Sequence, residues 1–237
     1  MLKIENLTKT YGNKVAVDNL SLEISGGEIC AFIGHNGAGK TTTLKACIGI
    51  LSFDSGSIYI DGKSVKEYPI ETKAISAYLP DNPDMYEFLS GIKYLNFIAD
   101  AYGVSEEKRN AKIASLAEKF SLTEALADSI STYSHGMKQK LAIISAFVHS
   151  PRLILMDEPF VGLDPRAAFT LKEMMREHCE AGGSIFFSTH VLDVAERLCD
   201  KVAIIKDGRL VVSGRMDEVR GDASLEKVFL ELEDEDA

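Results

Sequence analysis

From Leu2 to Ile24, "LKIENLTKTYGNKVAVDNLSLEI", apolar and polar residues alternate. A period of two marks strands with one buried and one wet face, so an antiparallel pair is predicted here. "SGSIYIDGKSV" (55–65) repeats the alternation, with Asp61-Gly62 as its turn. Three other stretches, "GEICAFIG" (27–34), "RLILMDEP" (152–159) and "GSIFFSTH" (183–190), are nearly continuous apolar runs. Strands buried on both faces read this way, which predicts a parallel sheet covered on each side. "TTTLKACIGIL" (41–51) brings Leu44, Ile48 and Leu51 round at helical spacing. Residues 85–150 are helical in period with no convincing strand. Within them Ser105 followed by Glu106 and Glu107 makes a helix start, and Ile113, Leu116 and Phe120 recur on one face. From Pro151 strand–helix alternation resumes, with Asp164 as an N-cap, Pro165 at the first helical position, and a hairpin over 203–214 turned at Asp207-Gly208. The pattern predicts an α/β fold: a mainly parallel sheet, an antiparallel β part and an inserted α-helical part. One domain, 1–237, is expected, with its core in 1–84 and 151–237 and the helical insert in 85–150.

The junction of the first apolar run with the first helix carries the chemistry. Gly34-His35-Asn36-Gly37-Ala38-Gly39-Lys40-Thr41, followed by Thr42, fits G-x-x-x-x-G-K-[ST] between a strand and a helix. Glycines let backbone N–H groups close around a phosphate, and the helix N-terminus adds the positive end of its dipole. Lys40 is placed to neutralise the β- and γ-phosphates and the Thr41 hydroxyl to ligate Mg²⁺, so the chain is expected to hold a nucleoside triphosphate. The second apolar run ends in two carboxylates, at the end of a strand where open α/β sheets bind ligands. Asp157 then serves the Mg²⁺ and Glu158 orients or deprotonates an attacking water. The third run ends at His190, read as a γ-phosphate contact in the same crevice.

Composition narrows the partners. A formal net charge of −10 over 237 residues argues against a nucleic-acid binder held by a broad basic face. Cys30, Cys47, Cys179 and Cys199 show neither paired nor metal-ligand spacing and read as buried thiols in a reducing compartment. Lys3, Glu5 and Lys9 interrupt any apolar leader, and "LAIISAFV" (141–148) is far below the ~20 residues that span a bilayer. A cytosolic chain is expected, with any membrane role coming through a partner. No internal repeat is present, and the ending "EDEDA" (233–237) reads as a solvated tail.

"YSHGMKQKL" (133–141) precedes an apolar helix, and Ser134 with the helix N-terminus makes a second anion site, away from the phosphate loop. This segment resembles the signature of the ATP-binding-cassette (ABC) family, usually L-S-G-G-Q. Ser134, Gly136 and Lys138-Gln139-Lys140-Leu141 match, while Tyr133, His135 and Met137 depart. The other family motifs follow in order over essentially the whole chain: Tyr11 as the aromatic on adenine, "MDEP", Gly162-Leu163-Asp164, and His190 as the switch histidine. The resemblance implies a P-loop NTPase core that binds ATP with Mg²⁺. It also implies that Ser134, His135 and Gly136 of one chain close on the ATP held by a second cassette, sandwiching two ATP molecules. An integral membrane permease subunit is the implied partner, which puts the chain on the inner face of the cell membrane. The signature variant and the ending "SLEKVFLELE" (224–233) resemble ATPase subunits of exporters of drugs, antibiotics or small peptides. The alternative is a soluble, non-transport ABC ATPase acting on a macromolecular complex. One departure lies in the coupling loop, "AYLPDNPDMYEFLSGIKYL" (77–95), where the family's glutamine is replaced. Asp81 is read as a metal-shell residue, with Asn82 as a one-residue alternative and a plain loop cap before Pro83 as another.

Overall fold

In the computed structural model, which describes residues 1–234, ten strands form two sheets. The alternating N-terminal segments are β1 (Leu2–Tyr11) and β2 (Lys14–Ile24), and β3 (Ile29–Ile33) is the first apolar run. After α1 (Lys40–Cys47) come β4 (Ser55–Ile60) and β5 (Lys63–Ser64), then α2 (Pro69–Ala74) and β6 (Ser76–Leu79). Three longer helices follow without a strand: α3 (Gly91–Ala101), α4 (Glu106–Lys119) and α5 (His135–Val148). The chain returns through β7 (Leu153–Asp157), α6 (Pro165–Glu180), β8 (Ser184–Thr189), α7 (Leu192–Leu198), β9 (Lys201–Lys206) and β10 (Arg209–Arg215). It closes with α8 (Met216–Arg220) and α9 (Leu225–Asp234).

The antiparallel sheet has the order β2-β1-β4-β5, and the six-stranded sheet the order β10-β9-β3-β8-β7-β6. In the larger sheet β9, β3, β8, β7 and β6 run parallel, and β10 turns back antiparallel as the Asp207-Gly208 hairpin requires. Every residue of β3, β7 and β8 is buried, because alternate side chains feed two separate cores. Leu153 and Leu155 enter one core with Phe32, Phe186, α1 and the antiparallel sheet. Ile154 and Met156 enter the other with α3, α5, α6 and Phe187. Continuous apolar strands are what a sheet covered on both faces demands. The C-terminal ends of β3, β7 and β8 consequently open toward one edge, and that edge holds the site.

The first helix is shorter than its periodicity predicts. It ends at Cys47 because Gly49 takes a left-handed φ of 67° and its N–H bonds back to Ala46. A glycine in that conformation stops a helix at little steric cost. The starts at Ser105 and Asp164 lie where the sequence puts them, and the Asp164 carboxylate accepts from the Ala167 N–H at 2.8 Å. All four cysteines are unpaired and buried.

Candidate active site

A cleft of about 310 Å³ gathers Tyr11, Lys14, His35, Asn36, Gly37, Gly39, Lys40, Thr41, Thr42, Asp81, Asp157 and Glu158. The loop between β3 and α1 forms its floor, and two glycines there are obligatory. A Cβ on Gly34 would come within 2.4 Å of the Ile205 carbonyl oxygen. Gly39, at φ 108°, would meet the Ala16 oxygen at the same distance. No side chain fits either position, so the loop backbone is held tight against its neighbours and its N–H groups are left to line the cleft. The Lys40 ammonium folds back and donates to the carbonyls of Gly34 (2.6 Å) and His35 (3.1 Å). Its residue is only 7% exposed. Burial pushes its pKa down, and Glu158 and Asp157 oppose that shift. A lysine held by loop carbonyls beside two carboxylates is poised to move onto an anion that enters the cleft.

Asp157 ends β7, and two hydroxyls hold it. Thr41, in the first turn of α1, donates to Oδ2 at 2.6 Å, and Ser188 on β8 donates to Oδ1 at 2.5 Å. The register explains the second bond, since Asp157 pairs directly with Ser188 across the parallel strands. The Ser188 oxygen also accepts the Glu158 N–H at 3.0 Å. Glu158 itself stands at φ 47°, a left-handed conformation that costs a non-glycine residue about 1–2 kcal/mol. This kink turns the chain out of the strand and aims the Glu158 carboxylate at the cleft, where His190 Nδ1 lies 3.0 Å from Oε2. Nδ1 must carry a proton to donate there, which leaves Nε2 for another contact. His190 does not line the cleft itself but reaches it through Glu158. Ser188 was not singled out in the sequence. The available signal was its position two residues before a strand-ending histidine, which acquires meaning only once β7 and β8 are known to be neighbours.

Asp81, after β6, lines the cleft with the phosphate loop and the two β7 carboxylates, and Asn82 stays outside it. Tyr11 lies at the opposite rim, half exposed, with the Lys9 ammonium 5.2 Å from its ring centre. Ser134, His135 and Gly136 are not brought to this cleft. Ser134 caps α5 by accepting the Met137 N–H at 3.3 Å. The start of α5 packs instead on the loop after β7: a Cβ on Gly162 would strike the His135 ring at 2.6 Å, and Lys140 bonds Asp164 at 2.7 Å. Each chain therefore presents a phosphate loop and a separate, exposed helix start. A larger cleft of about 670 Å³ lies between α4, α5 and α6, lined among others by Lys112, Lys119, Arg152 and His178. It contains none of these groups, and its cations are already engaged: Lys119 with Glu177 at 2.8 Å and Lys112 with Ser150 at 3.1 Å.

Of the acidic ending 233–237, expected as a solvated tail, only the Glu233 side chain is described, and it is engaged with the protein. Glu233 on α9 pairs with the His35 ring of the phosphate loop, and Phe229 packs edge-on against the same ring at 5.2 Å. Lys206 donates to the Leu232 and Glu233 carbonyls at 3.1 and 3.0 Å, closing the end of the helix. Phe229 and Leu232 pack against the core on one face of α9, which binds the helix to the body and brings Glu233 to the loop. Residues 235–237 and the Asp234 side chain lie outside the described residues.

A family model described as "ABC transporter" matches residues 17–161. Among curated proteins the chain is similar to the ABC-type transporter ATP-binding protein EcsA of Bacillus subtilis (strain 168), 37% identical over all of this chain and 98% of the relative. It is also similar to the linearmycin resistance ATP-binding protein LnrL of the same organism, 33% identical over 90% of this chain and 69% of the relative. A solved structure titled as the ATP-binding subunit of an ABC transporter superposes with a TM-score of 0.95 at 36% identity, covering 98% of this chain and 99% of the other.

Proposed function

Because the chain belongs to the ATP-binding subunits of ABC transporters, which are ATPases, we propose that it works as a pair of cassettes closing on two ATP molecules to drive a separate membrane exporter subunit. One observation carries the catalytic half of this reading: the phosphate loop, Asp157 and Glu158 share a single cleft, tied together by the hydrogen bonds of Thr41 and Ser188. In it the loop N–H groups and Lys40 bind the β- and γ-phosphates, and Tyr11 stacks on adenine. Thr41 and Asp157 are hard oxygen donors that fit Mg²⁺, with Asp81 beside them on the cleft wall. No cluster of three or more His, Cys, Asp or Glu among the described residues would hold a metal unaided. Bound there, Mg²⁺ supplies positive charge against the triphosphate. Glu158 orients the attacking water and accepts its proton, and His190 holds Glu158 through Nδ1 while offering Nε2 to the γ-phosphate.

The exposed start of α5 supports the paired arrangement. Ser134, His135 and Gly136 form an exposed helix end outside the chain's own nucleotide cleft, and a second cassette supplies the anion for it. The insert 85–150 then acts as the arm that carries this helix start to the partner's ATP. Exposed rings support the membrane partner: Phe88 is 81% exposed, and Tyr86 lies 5.9 Å from it and 5.8 Å from Phe97. Tyr86 and Phe88 lie five and seven residues after Asp81 in the chain, so a protein docked on them is linked to the nucleotide cleft. No helix among the described residues is long and apolar enough to cross a membrane. Export is supported by the name of LnrL, a resistance protein. The test is affinity purification of the tagged chain from detergent-solubilised membranes of its own host. A polytopic membrane protein should copurify, and Phe88→Asp should release it. Recovery only in a soluble complex would overturn the transport reading and leave the ATPase.

A further inference from the structure

Tyr78 is the polar group beside the site that the mechanism above does not use. It lies on β6, where the parallel register sets it opposite Leu155 of β7. Both side chains pack into the core on the α1 side of the sheet. Two residues further along β7, on that same face, stands Asp157, which meets α1 through Thr41. Tyr78 and Asp157 are thus diagonal neighbours on adjacent strands. Two residues of rise, roughly 6.6 Å along the strand, is a gap that a tyrosine ring spans.

The Tyr78 hydroxyl is sealed from solvent and has no hydrogen-bond partner of ordinary geometry. A buried hydroxyl left unsatisfied is costly, and native chains carry few of them. Burial above all, then the Asp157 and Asp81 carboxylates and a side-chain contact with Asp157, raise its pKa, so the hydroxyl and Asp157 already face each other. Both Asp157 oxygens accept a hydroxyl, from Thr41 and from Ser188. A carboxylate that ligates a metal needs a donor behind it to fix its orientation.

We propose that Tyr78 is a positioning residue for the metal: its hydroxyl stands behind Asp157 and donates to it, fixing the carboxylate's orientation toward Mg²⁺ as that carboxylate leaves Thr41. The proposal rests on the reading of Thr41 and Asp157 as the Mg²⁺ holders. It accounts for a buried donor set beside a carboxylate but outside ordinary hydrogen-bond geometry, because a small turn of Asp157 toward the metal completes the bond. Tyr78→Phe keeps the ring and its packing and deletes only this oxygen, so the effects on the empty and loaded states separate.

The experiment uses Mn²⁺ as the probe, with ATP, in the full chain carrying Glu158→Gln to block turnover. Electron paramagnetic resonance of free and bound Mn²⁺ gives its dissociation constant with and without Tyr78→Phe, and with Asp157→Asn. Tyr78→Phe should weaken Mn²⁺ by about 10- to 100-fold, the effect of losing one hydrogen bond to a charged metal ligand. ATP binding in excess chelator should not change. The melting temperature of the nucleotide-free chain should stay level or rise, since an unsatisfied hydroxyl has been removed. Unchanged Mn²⁺ affinity would overturn the proposal, as would a weakened affinity accompanied by a lower melting temperature of the empty chain. If Asp157→Asn also leaves Mn²⁺ affinity intact, the metal reading itself fails. If Asp157→Asn alone weakens it, only the role of Tyr78 fails.

Discussion

Ser188→Ala removes one buried oxygen that serves two groups. The first loss is the 2.5 Å bond to Asp157, a hydrogen bond to a charged group worth about 1.5–3 kcal/mol. The second is the acceptor for the Glu158 N–H, whose bond at 3.0 Å helps hold a residue at φ 47°. A neutral bond adds about 1 kcal/mol. Together the substitution should cost about 2–4 kcal/mol of unfolding free energy, enough to lower the melting temperature by roughly 5–15 °C in a chain of this size. Turnover should fall as well, because Glu158 loses the anchor that aims its carboxylate. A kcat reduced at least about tenfold is expected with the KM for ATP little changed, since Ser188 does not line the cleft. Urea unfolding followed by circular dichroism, with steady-state phosphate release on the same preparation, measures both. A stability loss under about 0.5 kcal/mol, the range of an ordinary surface change, together with parental kcat would refute the bridge between Asp157 and Glu158.

Asp81→Ala should raise the Mg²⁺ concentration for half-maximal ATPase, Asp81→Gln should largely restore it, and Asn82→Ala should leave it alone; a shift in the Asn82 variant only would move the metal contact there. His149 stacks on Tyr102 at 3.6 Å, and burial pulls its pKa down to about 4. The unfolded chain, with its histidine near 6.5, takes up the proton first, so stability present above that pH is lost as pH falls toward 4. Unfolding free energy should drop by about 2 kcal/mol between pH 7.5 and 5 from this group, and His149→Phe should flatten that part of the profile. Phe229→Ala should speed hydrogen exchange in α9 and also at Gly34–Asn36, because His35 loses the ring packed against it; unchanged exchange in the loop would show that α9 does not steady it.

Much of the site was legible in local chemistry. A glycine-rich turn between a buried strand and a helix, and a strand ending in Asp157-Glu158, each state their part through residue type and spacing. Strand order does not belong to that kind of information. β8 lies between β3 and β7, so the phosphate loop reaches Asp157 through Thr41 on α1 rather than from a neighbouring strand, and Ser188 becomes the partner of Asp157 only by that crossover. The left-handed turn at Glu158 was equally hidden, because nothing in "MDEPF" marks a glutamate for positive φ. The ending was legible only in part: Glu226 and Glu231 of α9 are exposed, while Phe229 and Leu232 bind the helix to the core and set Glu233, the first residue of "EDEDA", against His35. Asp81 carries three readings in the sequence; the fold puts it on the cleft wall and leaves Asn82 off it.

The paired-cassette claim is tested most directly by the mass of the Glu158→Gln chain in solution, measured by light scattering behind size exclusion with Mg²⁺ and ATP. With hydrolysis blocked, ATP should hold two chains together, giving twice the mass of one chain. Removing ATP, or adding Ser134→Arg to block the helix start, should return the single-chain mass. A single-chain mass at saturating ATP, or a dimer that survives Ser134→Arg, would contradict closure of the Ser134 helix on the partner's ATP.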